Sequence, residues 1–304
     1  MANILITGGT GLIGTRLTEL LLQRGHKVSH LGRSKENGTV ESFVWDVHKR
    51  WIDPSAFEGI DAIVHLAGAG IGDKRWTAKR KDEILNSRVD STRLLYDELN
   101  KRRHTVKTVV SAAGVAYYGL DNGGKFALEE DSPGTDYLAN VAQRWEAEVD
   151  KLNALGLRIV KLRTSLVLSD KGGALKELER PIKLFVGAPL GTGRQYMSWI
   201  HIDDHCGIII KSLEDVTIQG VYNSVAPNPV TNKQFTKEVA SVLSRPILLP
   251  PIPGFVLKTI LGEMADLVLF GNKISGEKIQ RAGYTFKFTN LQNALRDLLK
   301  DPDN

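Results

Sequence analysis

Hydrophobic positions along the first 165 residues switch repeatedly between two spacings. The centre of NILIT (3–7) is continuously apolar and predicts a buried strand. GLIGTRLTELLLQRG (11–25) then carries apolar residues at helical spacing and predicts a helix that stops at Gly25. Further strands are predicted at HKVSHLG (26–32), ESFVWD (41–46), IDAIVHLAG (60–68), TVKTVVSAAG (105–114) and LRIVKLR (157–163), with long helices around 77–102 and 136–155. This alternation predicts an α/β fold, a parallel sheet with helices on both faces. After about 165 the alternation loosens. There follow a glycine-rich loop, APLGTGRQ (188–195), and a helix, TNKQFTKEVASVLSR (231–245), with Thr231 or Asn232 as N-cap. A proline-rich turn, RPILLPPIPG (245–254), and a final amphipathic helix, NLQNALRDLLK (290–300), complete the chain. The expected organisation is a sheet domain over 1–165, with contributions from later segments. A smaller mixed α/β part, 166–304, lies over the open edge of the sheet.

Composition narrows this picture only a little. At 304 residues, 42% hydrophobic and 25% charged, the chain can bury a sizeable core. Its single cysteine, Cys206, excludes an internal disulfide and a multi-cysteine zinc cluster, and no metal site is expected. A reducing, cytoplasmic setting fits, and MANILITGG lacks the pattern of a leader peptide. The apolar stretch FVLKTILGEMADLVLF (255–270) is interrupted by Lys258, Glu263 and Asp266; it reads as a buried amphipathic helix, and no membrane partner is expected. The net charge is +5, and the basic runs KRWTAKRK (74–81) and NKRRH (100–104) read as solvated helix faces. Nucleic acid is therefore not expected as a partner. The oligomeric state stays open.

The tract ITGGTGLIG (6–14) changes the picture most. Gly8, Gly11 and Gly14 leave a predicted strand and open a predicted helix, the placement of a dinucleotide fingerprint. One glycine makes the turn, one admits the pyrophosphate and one lets helix and strand close up, so Gly8, Thr10, Gly11, Leu12, Ile13 and Gly14 form the expected cradle. A carboxylate at the end of the second strand would suit NAD(H). Here the strand runs into LGRSKEN, with Arg33 and Ser34 at that position, which favours the 2′-phosphate of NADP(H). Asp46 is placed to accept from the adenine amino group, and the small residues of HLAGAG (65–70), with Leu66, Ala67, Gly68 and Ala69, let the cofactor lie against the fourth strand.

With these residues in view, the chain resembles the extended short-chain dehydrogenase/reductase superfamily, and more closely an atypical NAD-dependent epimerase/dehydratase-like branch with its own C-terminal domain. The resemblance runs nearly end to end, through GGTGLIG (8–14), HLAGAGI (65–71), NSRVDSTRLL (86–95), YYG (117–119), RWEAE (144–148) and GTGRQYMSWIHIDD (191–204). It implies a Rossmann-type, doubly wound sheet, a nicotinamide cofactor and an open cleft for a small-molecule substrate. The superfamily uses a Tyr-x-x-x-Lys pair after the fifth strand and a serine at that strand's end. Here DYLANVAQRW supplies Tyr137, but Val141 stands four residues on. Lowering a tyrosine pKa from about 10 to about 7 takes ~4 kcal/mol, which valine cannot supply. Tyr137 is then a neutral acid rather than a base. The serine position reads Ala113, leaving Ser111 as a displaced substitute. Tyr118 or Tyr117 could be the acid instead, and His201 is weighed as a proton-transfer group, against a structural role. Asp203 reads as the cap of the helix that follows. Arg88 joins the cofactor-binding set; Tyr117, Arg194, Gln195 and Trp199 form the substrate-binding set. The chain thus reads as an NADP(H)-dependent oxidoreductase or epimerase for a small, anionic or nucleotide-sugar substrate. The rival reading is an NADP(H)-binding sensor or scaffold with little catalysis.

Overall fold

The computed structural model describes residues 1–35 and 38–300; the last four residues of the expected C-terminal part lie outside them. The strand patterns form one sheet of eight strands. In chain order these are β1 (Asn3–Thr7), β2 (Lys27–Gly32), β3 (Glu41–Asp46), β4 (Trp51–Ile52), β5 (Ala62–His65), β6 (Thr108–Gly114), β7 (Arg158–Thr164) and β8 (Gly220–Ser224). Their order across the sheet is β8-β7-β6-β5-β1-β2-β3-β4. Every pairing is parallel except that of β4 with β3, where Trp45 meets Ile52. The fold is α/β, Rossmann-type and doubly wound. The chain moves outward from β1 to one side, then returns to β5 on the other. The carboxyl ends of β1 and β5 therefore flank a topological switch point, where ligands of such sheets bind.

Alternation within the strands explains why both faces are covered. Ile4, Ile6, Val64, Val110, Val160 and Leu162 point to one face, where α1 (Leu12–Gln23) and α5 (Ile202–Glu214) lie, the latter supplying Ile208, Ile209 and Ile210. Leu5, Ile63, Val109 and Ile159, one residue out of phase, meet Leu94 and Leu95 of α2 (Ala78–Lys101) and Trp145 and Val149 of α3 (Tyr137–Lys151). With both faces buried, the strands read as apolar runs rather than half-polar ones. A separate core gathers Leu175 and Ile182 of α4 (Ala174–Lys183), Trp199, Phe235 and Val239 of α6 (Asn232–Val242), and Leu291 and Leu295 of the final helix (Leu291–Leu299).

The later half serves both parts: β8 extends the main sheet, while α5 packs on α1. Helix α6 begins with a capping box, Thr231 and Gln234 each satisfying the other's backbone amide. Two expectations fail here. The stretch 255–270 is no single buried helix but two short helices (Gly254–Leu261 and Asp266–Leu269) around a 3-10 turn, with Phe255 and Ile260 exposed. Gly262, at φ +62°, breaks it. No helix among the described residues is long and apolar enough to cross a membrane. And α5 is capped by His201, not Asp203; Asp203 sits inside the first turn and donates its amide to His201 Nδ1 at 3.1 Å.

Candidate functional site

At the carboxyl end of β1 the glycine tract turns on Gly8, at φ +72°, a left-handed conformation that glycine adopts without strain. The Gly11 amide closes the turn on the Gly8 carbonyl at 3.0 Å. A Cβ on Gly14 would lie 2.6 Å from the Gly9 carbonyl oxygen, so only glycine lets α1 start this close to the turn. Gly11 is the N-cap and offers no side chain, and the first turn of α1 holds no acidic residue. The amides of Leu12 and Ile13 therefore begin the helix without a side-chain acceptor, at the positive end of its dipole. Thr10 and Gly11 are exposed there.

Across the switch point, the Leu66 and Ala67 amides both donate to Thr7 Oγ1 at 3.2 Å, which fixes the loop 66–69 beside Gly8. Thr7 Oγ1 lies 2.7 Å from Nδ1 of His65, whose Nε2 lies 3.1 Å from Thr92 Oγ1. Burial, with the nearby Arg88, pushes His65 down to about 4, so the ring is neutral at pH 7. Arg33 and Ser34 leave β2 exposed, on the same edge as the glycine turn. Asp46 ends β3 with Oδ1 accepting from the Lys49 amide at 3.0 Å, which with the Lys49 charge holds its carboxyl below the usual range. Gly68 and Ala69 lie against Arg88, whose guanidinium donates to the Ala69 carbonyl at 3.0 Å. A cleft of about 460 Å³ opens along Thr10, Gly11, Leu12 and Arg16, faced by residues 169–173 and by His201 and Asp203. Little in the sequence marks the loop 169–173 as part of this cleft. Its one signal is the Gly172–Gly173 pair, whose Gly173 would press a Cβ on Leu12 at 3.1 Å.

The residues expected to carry chemistry are placed very differently. Ser111 is fully buried in the sheet and its hydroxyl donates to the Ala112 carbonyl at 2.9 Å; it cannot reach a substrate. Tyr118 is buried, donates to Asn223 Oδ1 at 2.7 Å and accepts from Arg163 Nη1 at 2.9 Å. Burial raises its pKa to about 12, and Arg163, locked bidentately on Glu146, holds it in place. Tyr117 is half-buried, with the Arg163 guanidinium 3.4 Å from its ring centre. His201 is buried, caps α5 and stacks on Phe288 at 3.9 Å. Burial lowers its pKa, and accepting the Asp203 amide at Nδ1 assigns the proton to Nε2, 3.2 Å from Asp297. Trp199 is a core residue, its indole N–H on the Asn228 carbonyl at 3.0 Å, and so not a substrate contact. Gln195 ties its loop to the short helix Asp266–Leu269, donating to Leu190 and Val268 carbonyls at 2.9 and 2.7 Å. Arg194 remains exposed.

Tyr137 stands outside these buried networks. It is half-buried at the start of α3, packs edge-on against Trp76 at 5.3 Å and donates to the Lys81 carbonyl at 2.8 Å. Lys81 Nζ stands 5.0 Å from its ring centre and pairs with Glu263, which brings the C-terminal part to this edge. Burial raises the Tyr137 pKa, with Arg88 foremost in opposing that rise, so the phenol is neutral at pH 7. Among the described residues no group of three or more His, Cys, Asp or Glu converges as a metal site.

Residues 4–224 match the profile of the NAD dependent epimerase/dehydratase family, and residues 252–298 match a domain of unknown function, DUF1731. The chain belongs to the NAD-dependent epimerase/dehydratase family. It is 36% identical over 304 residues to the epimerase family protein YfhF of Bacillus subtilis, covering 98% of each chain. A crystal structure of the human epimerase family protein SDR39U1 (isoform 2) with NADPH superposes with a TM-score of 0.88 at 34% identity, over 97% of this chain and 98% of that one. UDP-glucose 4-epimerase of Thermus thermophilus, solved in complex with NAD, shares the fold at 18% identity and a TM-score of 0.76, over 97% of both chains. The glycine turn lies within the matched residues 4–224. Four residues after Tyr137 this chain carries Val141, not a lysine.

Proposed function

We propose that this chain is an NADP(H)-dependent oxidoreductase or epimerase acting on a small, anionic substrate of the nucleotide-sugar type. The observation that carries the reading is the α1 start: a helix opened by a glycine turn, with no side-chain cap and no acidic residue, at the switch point of the sheet. The residues present fit a dinucleotide. The amides at 12–14 meet the diphosphate, the loop 66–69 leaves room beside it, and Arg33 with Ser34 supplies donors for a 2′-phosphate. NADPH in the human relative supports the choice of phosphate over NAD(H). When bound, a nicotinamide supplies or accepts hydride. This chain's own work is to orient the substrate and move a proton, for which Tyr137 is the group in reach. The exposed Arg194, in its glycine-rich loop, suits an anionic substrate group, and relatives of the same fold bear nucleotide-sugar names.

Calorimetry with NADPH and NADH tests this reading. NADPH is expected to bind the more tightly, and Arg33→Gln to weaken NADPH about 10- to 100-fold, the worth of one charge-assisted contact, while leaving NADH nearly unchanged. No heat with either dinucleotide on folded protein overturns it. A sensor or scaffold role is favoured by one observation, the engagement of Ser111, Tyr118 and His201 in internal contacts. It predicts NADPH binding with no hydride transfer in either direction, neither NADPH oxidation by a keto-sugar nucleotide nor NADP+ reduction by a hydroxy-sugar nucleotide, and no interconversion of sugar epimers.

A further inference from the structure

We propose that Arg88, entering from α2, occupies the place of the lysine that α3 lacks, and serves as the cationic partner of Tyr137. The inference deepens the functional reading above and rests on it. Three contacts set α2 and α3 side by side in the same direction. Tyr137 donates to the Lys81 carbonyl at 2.8 Å, the Arg88 guanidinium lies 5.2 Å from the Trp145 ring centre, and Arg93 Nη2 is 2.8 Å from Glu148. Along α3, Tyr137, Val141 and Trp145 are spaced four apart and share one stripe. Val141 is therefore level with the turn of α2 between Lys81 and Arg88. Side chains lean toward the N-terminal end of their helix, and Arg88 does so fully: its Nη1 donates to the Ile84 carbonyl, one turn back, at 2.9 Å. The guanidinium thus sits at the level of Val141, with its second bond on the loop carbonyl of Ala69.

Its charge is unmatched. On the same helix Arg80 pairs with Glu83, Lys81 with Glu263 and Arg93 with Glu148. Among the described residues Arg88, though buried, has only carbonyls and an aromatic face. A buried cation without an anion is costly, and an anion that forms beside it recovers that cost. When Tyr137 gives its proton to a substrate oxygen, the O–H bond breaks and its electron pair stays on the phenolate. The new O–H bond is on the substrate, and water later returns a proton to the tyrosine. Arg88 offsets the phenolate charge during that interval. Arg80 acts in the same sense, Asp82 and Glu263 act against it, and Lys81 lies over the ring.

The test reads the phenol directly. Difluorotyrosine placed at position 137 has a more acidic phenol and titrates by absorbance within the range where the protein stays folded. Arg88→Met is expected to raise its midpoint by at least one pH unit, Arg88→Lys to leave it nearly in place, and Arg88→Met with Val141→Lys to bring it back. Val141→Lys alone sets two cations together and is expected to lower the melting temperature. Circular dichroism checks each fold, and if Arg88→Met does not fold, Arg88→Lys compared with the double variant carries the test. An unmoved midpoint in folded Arg88→Met, or no recovery in the double variant, overturns the pairing. If the midpoint moves but NADPH gives no heat with the unsubstituted protein, the pairing stands and the functional reading falls.

Discussion

The two ends of the switch point hold their residues by different means. At the glycine turn the constraint is backbone: Gly8 needs its φ, Gly14 needs an absent Cβ, and the groups left without a side-chain cap are amides. At the Tyr137 end the constraint is side chains, and most of those expected to carry chemistry are already engaged elsewhere. Tyr118 is bound to Arg163 and Asn223, and Ser111 is sealed in the sheet. Backbone geometry tolerates no substitute, so its motif is complete. A charge can arrive from another helix, as Arg88 does, so its motif is broken in sequence without the site being empty of charge.

The sharpest way to break this contrast is Gly14→Val. The new side chain would meet backbone oxygens of Gly8 and Gly9, which cannot yield without opening the turn. The expected cost is about 4 kcal/mol, the upper range for single substitutions. NADPH binding is expected to fall below detection, read by calorimetry and thermal melting. A variant that still binds NADPH would show that the amide cradle is not what holds the cofactor.

Acid comes next in size. His65, tied to Thr7 under the cofactor loop, and His205, 2.7 Å from Ser224 under β8, are buried neutral, each pushed down to about 4. In the unfolded chain each titrates near the ordinary 6.5. Between these values the unfolded state takes up protons that the folded state does not. Stability is therefore full above pH 6.5 and declines as the pH falls toward 4, by up to roughly 3 kcal/mol per histidine. The carboxylates held low, Asp203 and Glu148 among them, lose their contribution only at lower pH, so the window belongs to the histidines. Urea midpoints measured across it should fall, and His65→Gln should make the slope shallower without abolishing it, because His205 and His201, both also held below 6.5, remain. A flat profile would mean that the cofactor end lacks this buried network.

This division also explains what could be read along the chain. Apolar runs such as Ile4–Leu5–Ile6 and Ile63–Val64 announce a sheet buried on both faces, and the glycine spacing announces its ligand end. The two-residue edge strand β4 is too short for any period to mark. Tyr118 and His201 looked available because their partners, Arg163, Asn223 and Asp297, lie far away in sequence. Trp199 belongs to a conspicuous block, yet its indole closes on Asn228 inside a core. Arg88 matched the family pattern, but its level opposite Val141 depends on how α2 lies along α3, which no local spacing encodes. In the stretch 255–270 the charge interruptions do not reveal the break at the left-handed Gly262.

The smallest expected effect discriminates most finely between the two tyrosines. Tyr118→Phe removes a hydroxyl that accepts from Arg163 and donates to Asn223. Arg163 keeps Glu146 and the Glu129 carbonyl, so the loss is confined to one buried acceptor on Asn223 and one donor contact, about 1 to 2 kcal/mol. Tyr137→Phe removes a part-buried hydroxyl whose partner is a single carbonyl, and should cost less, about 1 kcal/mol or below. Any hydride transfer between the nicotinamide and a nucleotide sugar, from NADPH to a keto-sugar or from a hydroxy-sugar to NADP+, should behave in the opposite way, surviving Tyr118→Phe and vanishing with Tyr137→Phe. Stability and turnover are then carried by different phenols. If turnover instead follows Tyr118, the proton comes from the buried network around Arg163, and the lone tyrosine of the interrupted motif is only packing against Trp76.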